Sequence, residues 1–223
     1  MTRADHLMRA RNSISALLTA TSLLATVGAV AAPASASSRA LGDTLKVGGL
    51  INLQNQLSNG NGGYLEIYTT STAPGAAYTV DTTQTDRGSN TATWRVVSAS
   101  GRPQGSEVRS GDAIYLVNMY NTGNLYLDVN TYQDRPAAWW DVSVTTTKNR
   151  DGDSGKWRIT AETSNPNDGV VRSGDKIHLE SLYEGNGGFL DINGVGGALY
   201  DVSTTTYWDR QGNGTSTWKV LTK

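Results

Sequence analysis

One block of sequence occurs three times in this chain, and this recurrence limits the possible folds more than any local motif does. Each copy opens with Ile-x-Leu and closes with a Trp, at spacings of 61 to 63 residues. The opening residues are Ile51, Ile114 and Ile177, and the closing residues are Trp94, Trp157 and Trp218. Because one small unit cannot bury its apolar face alone, the copies at about 45–97, 108–160 and 171–221 are predicted to form a single domain over 37–223.

Four short segments in each copy alternate apolar with polar residues, which is typical of half-buried strands. In the second copy these segments begin at Ile114, Tyr126, Trp140 and Trp157. No helical periodicity follows the amino-terminal leader. Twelve short strands predict an all-β fold, and a closed one, because an open sheet of that size would expose its edges.

The leader, residues 1–36, has the features of a secretory signal peptide. Three Arg precede an apolar, Ala-rich run over 14–32, and Ala34-Ser35-Ala36 is a small-x-small cleavage site. Ser and Thr interrupt the apolar run, and no basic stop-transfer cluster follows it, which favours export over membrane insertion. We therefore predict a secreted protein.

Composition excludes several classes of partner and site. The chain has 19 basic and 20 acidic residues, and the leader contains three of the Arg and one Asp, so the rest is slightly acidic. Neither nucleic acid nor an anionic membrane is an expected partner. The chain has no Cys, so no disulfide is expected. His178 alone, on a strand where alternation turns it outward, cannot build a zinc site, and we expect no metal and no cofactor.

The turn between the third and fourth strands carries two polar patterns. In the second copy, Asn149, Asp151 and Asp153 are spaced as in a calcium loop, but Thr160 stands where the bidentate Glu would be, and we interpret the stretch as a turn. An Arg recurs in this turn in all three copies, and we predict that it binds backbone carbonyls. The three residues are Arg87, Arg150 and Arg210.

Carboxylates give no indication of catalysis. Asp128 and Asp191 occupy equivalent positions in different copies, and repeated positions would lie too far apart for a two-carboxylate glycosidase. The Gly-x-Ser-x-Gly motif of serine hydrolases is absent as well. We predict that the chain is not an enzyme.

Aromatic residues beyond those that close the copies indicate binding. Trp139 and Trp140 are adjacent, so on a strand one ring would face outward, and Tyr132 precedes them while Trp208 lies in the third copy. Exposed rings beside a fixed acceptor suit a sugar, since its C–H face stacks and its hydroxyls donate. A second candidate patch lies near the ends of the first strands and comprises Asn118, Tyr120 and Tyr183.

The repeat pattern resembles the β-trefoil, a barrel capped by three hairpins with pseudo-threefold symmetry, and the closing Trp-x-apolar of each copy is similar to that of ricin-B-like lectins. In that family a sugar-binding Asp lies between apolar residues of a strand, which Asp128 and Asp191 match, whereas the first copy has Glu66. The family's Gln-x-Trp motif is absent. The resemblance implies an all-β fold of three four-stranded repeats and a non-catalytic lectin with up to three shallow sites.

Three alternatives stay open at this point. A β-prism also contains three four-stranded units. The partner could be a protein, as for a secreted protease inhibitor, although Pro follows the basic residue in Arg102-Pro103 and Arg135-Pro136. A toxin-associated adhesin would still bind glycans or cell-surface polysaccharide, which is the partner that we predict.

Overall fold

The computed structural model describes residues 42–121, 123–130, the backbone of 131–132, and residues 137–210 and 212–223. The predicted signal peptide, residues 1–36, lies outside these ranges. Among the described residues no helix is long and apolar enough to cross a membrane.

Twelve strands lie where the alternating segments predict them, and the all-β character is confirmed. In chain order they are β1 Leu50–Asn55, β2 Tyr64–Thr70, β3 Tyr78–Thr83, β4 Trp94–Ser98, β5 Ala113–Asn118, β6 Leu125–Tyr132, β7 Trp140–Thr145, β8 Trp157–Ala161, β9 Lys176–Ser181, β10 Gly188–Val195, β11 Tyr200–Thr205 and β12 Trp218–Thr222. A 3₁₀ turn, Tyr183–Gly185, separates β9 from β10.

Antiparallel pairings close the sheet into a barrel. The ring runs β1–β4–β5–β8–β9–β12 and returns to β1, where Ile51 lies opposite Thr222. The other six strands form the hairpins β2–β3, β6–β7 and β10–β11, each with a register shift at the same place. Strands β3, β7 and β11 also pair with one another, so the hairpins meet at one end of the barrel.

The copies do not fold as three four-stranded units. The longest barrel registers join strands of different copies, as in β4–β5, which runs from Trp94 opposite Asn118 to Ser98 opposite Ile114. Within a copy the first and last strands share only a short register, as in β1–β4. The predicted fold class, a β-trefoil of three four-stranded repeats, is therefore wrong in its building unit, because the strands form one closed antiparallel barrel. The same finding contradicts the β-prism, which needs three separate sheets.

The interior of the barrel contains the closing Trp of each copy. Trp94, Trp157 and Trp218 are fully buried, and each indole Nε1 donates to the carbonyl of a Leu in the second strand of its own copy. The acceptors are Leu65 at 2.9 Å, Leu127 at 3.1 Å and Leu190 at 2.9 Å. The three rings thus fill the core and connect the hairpins to the barrel, and each of these three indole N–H groups has an acceptor.

Candidate functional site

Asp128 lies inside the molecule. Its side chain is fully buried, and Arg150 donates to Oδ1 from Nε at 3.1 Å and from Nη2 at 3.0 Å. The Ser154 hydroxyl donates to Oδ2 at 2.7 Å. Burial raises the pKa of Asp128, although these hydrogen bonds and the Arg150 charge oppose the shift.

Asp191 repeats this environment in the third copy. It is fully buried, and Arg210 Nε donates to Oδ1 at 3.2 Å. Burial raises the pKa of Asp191 to about 6 against the opposing effects of Thr215 and Arg210. The two carboxylates predicted to accept hydrogen bonds from a sugar therefore face the interior, and a ligand on the surface does not reach them. This corrects the assignment of Asp128 and Asp191 as sugar-binding residues.

The recurrent Arg has the structural role that the sequence predicts. In the first copy Arg87 pairs with Glu66, which also accepts from Thr91 Oγ1 at 2.7 Å. In every copy the Arg Nη2 also donates to a backbone carbonyl of the second strand. The acceptors are Ile67 at 2.6 Å, Val129 at 2.9 Å and Ile192 at 2.6 Å. The prediction that these Arg residues bind backbone carbonyls is confirmed.

In the loop 149–155, which resembles a calcium site in sequence, polar side chains bind to other side chains of the same turn and the residue that follows it. Asn149 Nδ2 donates to Asp153 Oδ1 at 3.0 Å, and Lys156 pairs with the same oxygen at 2.8 Å. Among the residues that the structure describes, no group of three or more His, Cys, Asp or Glu side chains is arranged to hold a metal ion.

His178 faces a covered surface and not solvent. Only 1% of it is exposed, because the Trp208 ring lies over the imidazole with 3.8 Å between ring centroids. Its Nε2 lies 3.3 Å from Glu162 Oε2. Alternation places His178 opposite the apolar core, as predicted, but the loop before β12 covers that face, so the prediction of an exposed His is wrong.

Trp139 and Trp140 stack on each other, with ring centroids 6.0 Å apart and planes 25° from parallel. The prediction that the two rings point to opposite faces is wrong, because β7 begins at Trp140 and Trp139 precedes the strand. Both rings are partly exposed. The edge of Tyr183 contacts Trp140 at 5.2 Å between centroids.

We call these three residues the Trp139–Trp140–Tyr183 cluster. The cluster lies where the second and third copies meet, and Glu184 N donates to the Gly152 carbonyl there at 2.9 Å. Asp151 and Glu184 are both exposed. Burial, and next the negative charges of Glu184 and Asp151, raise the pKa of Tyr183. Gly152, which follows Asp151, lies against the Tyr183 ring, so both carboxylates belong to turns next to Tyr183.

The second candidate patch does not form one surface. Asn118 is fully buried, its Nδ2 donates to the Thr91 carbonyl at 2.7 Å, and its Oδ1 accepts from Tyr120 N at 2.9 Å. This Asn stabilises a turn. Tyr120 contacts Tyr78 edge-on at 5.9 Å, whereas Tyr183 belongs to the Trp139–Trp140–Tyr183 cluster.

The two other predicted aromatic residues lie elsewhere. Trp208 is 45% exposed. Its ring contacts are with His178 and Phe189, not with the rings of the Trp139–Trp140–Tyr183 cluster. The side chain of Tyr132 lies outside the described residues, although its backbone pairs with Trp140. Asp151 was interpreted as a turn residue and Glu184 was not predicted, because strand alternation does not show where the side chains of turns lie. The presence of Trp139 in place of Ala77 and Leu199 indicates this junction but not the two carboxylates.

Comparison with known proteins supports the fold only. No protein-family model matches the chain, and no curated protein does. The SDF2-like protein from Arabidopsis thaliana matches with a TM-score of 0.62 and 16% identity, over 80% of this chain and 94% of that one. The S. cerevisiae protein O-mannosyltransferase Pmt1–Pmt2 complex bound to the sugar donor matches with 0.61 and 16%, over 81% of this chain and 25% of that one.

The botulinum neurotoxin serotype D binding domain gives a TM-score of 0.58 with 15% identity, over 82% of this chain and 44% of that one. At such identities the likeness concerns the fold, and it is consistent with a trefoil-like arrangement. The resemblance to ricin-B-like lectins extends no further than this.

Proposed function

We propose that the chain is a secreted, non-catalytic glycan-binding protein and that the Trp139–Trp140–Tyr183 cluster is its binding site. The observation that carries the proposal is the stack of two partly exposed indoles, with the exposed Asp151 and Glu184 in the turns next to Tyr183 of the same cluster. Aromatic faces bind the C–H face of a pyranose, and carboxylates accept its hydroxyl protons.

The three copies differ at this position, which supports one principal site and not three equal ones. Ala77 and Leu199 stand where the second copy has Trp139, and Tyr78 and Tyr200 stand where it has Trp140. An indole pair therefore occurs at one of the three junctions between copies.

Two further observations support the rest of the proposal. The neighbours of known structure include a toxin's binding domain and a mannosyltransferase complex holding a sugar donor, and both names agree with recognition of sugars or receptors. The carboxylates Asp128 and Asp191 are paired with Arg150 and Arg210, which supports a structural use over an acid–base one. Secretion rests on the leader at 1–36.

A glycan array with matched variants tests the site. Trp139→Ala is compared with Leu199→Ala, which removes the equivalent side chain in the third copy. We expect Trp139→Ala to weaken every positive glycan by at least about tenfold, or about 1.4 kcal/mol, and Leu199→Ala to bind as the unaltered protein does.

Wild-type binding by Trp139→Ala would refute the site, and an array with no positive glycan would refute the function. A protease-inhibition panel on the same samples tests the alternative of a secreted inhibitor. Inhibition of any protease by a chain that retains no glycan would also overturn the proposal.

A further inference from the structure

A polar pocket lies between the third and first copies, apart from the Trp139–Trp140–Tyr183 cluster. Its volume is about 390 Å³, within the range of about 300 to 1,000 Å³ that is usual for small-molecule sites. Its walls come from the turn after β1, the segment that joins β8 to β9, and the loop before β12. The polar residues that matter here are Gln56, Asn59, Glu162, Lys176, Asp209 and Thr217.

The Glu162 carboxylate is held in place from behind. Thr217 Oγ1 donates to Oε2 at 3.1 Å, and His178 Nε2 lies 3.3 Å from the same oxygen. His178 is 1% exposed beneath Trp208, and its nitrogens make no hydrogen bond to a described residue, so the Thr217 hydroxyl holds Glu162 while the imidazole packs behind it. A side chain supported in this way is preorganised, which reduces the entropy that a ligand must overcome.

Asp209 supplies a second carboxylate to the pocket. Gly214 N donates to its Oδ2 at 3.0 Å, whereas Oδ1 is buried and receives no hydrogen bond from any described residue. A buried carboxylate oxygen without a donor is costly, and a positive charge bound in the pocket against Asp209 would offset that cost without touching Oδ1 itself.

The charges and hydrogen-bonding groups of the wall define the ligand. The wall contains two carboxylates, Glu162 and Asp209, and one ammonium, Lys176, and the amides of Gln56 and Asn59 can donate and accept. The pocket therefore suits a compact ligand with one positive charge and several hydroxyls. We infer that this pocket binds an amino sugar through its free ammonium group, with Glu162 and Asp209 as the acceptors.

Glucosamine is the probe for this inference, with glucose and N-acetylglucosamine as matched controls. Titration calorimetry is expected to show binding of glucosamine, and binding of the two uncharged sugars more than about tenfold weaker. Equal binding of all three sugars, or none of glucosamine, would overturn the inference.

Variants locate the site. Asp209→Asn and Glu162→Gln should each weaken glucosamine more than about tenfold, whereas Glu180→Gln, which alters a carboxylate on β9 paired with Arg158, should have no effect. Circular dichroism confirms folding, and Asp209→Asn decides the result if Glu162→Gln does not fold. Undiminished binding by a folded Asp209→Asn variant contradicts the assignment. Trp139→Ala should leave glucosamine binding intact, so this inference and the glycan-site proposal can fail separately.

Discussion

The interior of the barrel and the junctions between the copies follow opposite rules. Inside, every copy repeats one arrangement, in which a buried Trp donates to a Leu carbonyl and a buried carboxylate is held by an Arg. At the junctions the copies diverge, with Ala77, Trp139 and Leu199 at equivalent positions. Threefold recurrence in this chain therefore marks the contacts that hold the barrel together, and departures from it mark candidate binding residues.

Replacing a buried Trp should lower the free energy of unfolding more than replacing a buried carboxylate does. Trp157→Ala leaves a cavity and removes the donor to Leu127 O, so the free energy of unfolding should fall by about 3 to 5 kcal/mol. Urea unfolding followed by circular dichroism measures it. Trp94→Ala and Trp218→Ala should give similar losses, and a loss below about 1 kcal/mol at any of the three would break the equivalence of the copies.

Removing a buried carboxylate should have an intermediate effect. Asp128→Ala leaves Arg150 and the Ser154 hydroxyl without their acceptor, so the free energy of unfolding should fall by about 1 to 3 kcal/mol. The exposed Asp151 is the control, since Asp151→Ala should change stability by no more than about 0.5 kcal/mol. A stable Asp128→Ala variant that loses glycan binding would restore Asp128 to the surface site and contradict its assignment to the interior.

The pH dependence of stability should show the smallest effect. The pKa of Asp191 is about 6 in the folded protein and about 3.9 in an unfolded chain, so the folded state holds the proton more tightly. The contribution of Asp191 to the free energy of unfolding is greatest below about pH 4 and falls as the pH rises through 6. Between pH 5 and 7 the loss should be about 1 kcal/mol.

Urea unfolding at several pH values compares the unaltered protein with Asp191→Asn. Asn is neutral at every pH and mimics the protonated Asp191, so the stability of the variant should lack the decline between pH 5 and 7. Relative to the unaltered protein, the variant should therefore be more stable at pH 7 than it is at pH 5. An unchanged decline would assign the effect to other groups, Asp128 first, since burial raises its pKa too.

Much of the fold could be predicted from the repeat. Alternation located the strands, and the closing Trp residues are in the core, because both follow from local pattern and burial. The pairing of strands could not be predicted, since it depends on which copy supplies the neighbour. The repeat groups β4 with β1 in one copy, whereas in the barrel β4 has its longer register with β5 of the next copy.

The candidate site was predicted only in part, for a physical reason. Alternation distinguishes the two faces of a strand but does not show whether a distant loop covers the outer face. His178 is buried because Trp208 comes over it from the loop before β12, and Asp128 is buried because Arg150 reaches back from a turn 22 positions later in the chain. Trp139 and Trp140 were predicted because they are adjacent Trp residues beyond those that close the copies, and one of two adjacent rings on a strand would face outward.

The pairing of β1 with β12, in which Leu53 lies opposite Val220, affects how the protein is made. Ribosomes deliver a chain from its amino end, so β12, which closes the ring, emerges after the other eleven strands. Until β12, Trp218–Thr222, is released, β1 and β9 each lack the pairing with β12, although β1 can pair with β4 and β9 with β8. Early folding is therefore limited to hairpins and to neighbouring strands that have already emerged. Closure is therefore a late event of biosynthesis, and a nascent chain that stalls within the third copy exposes strand edges to which chaperones can bind.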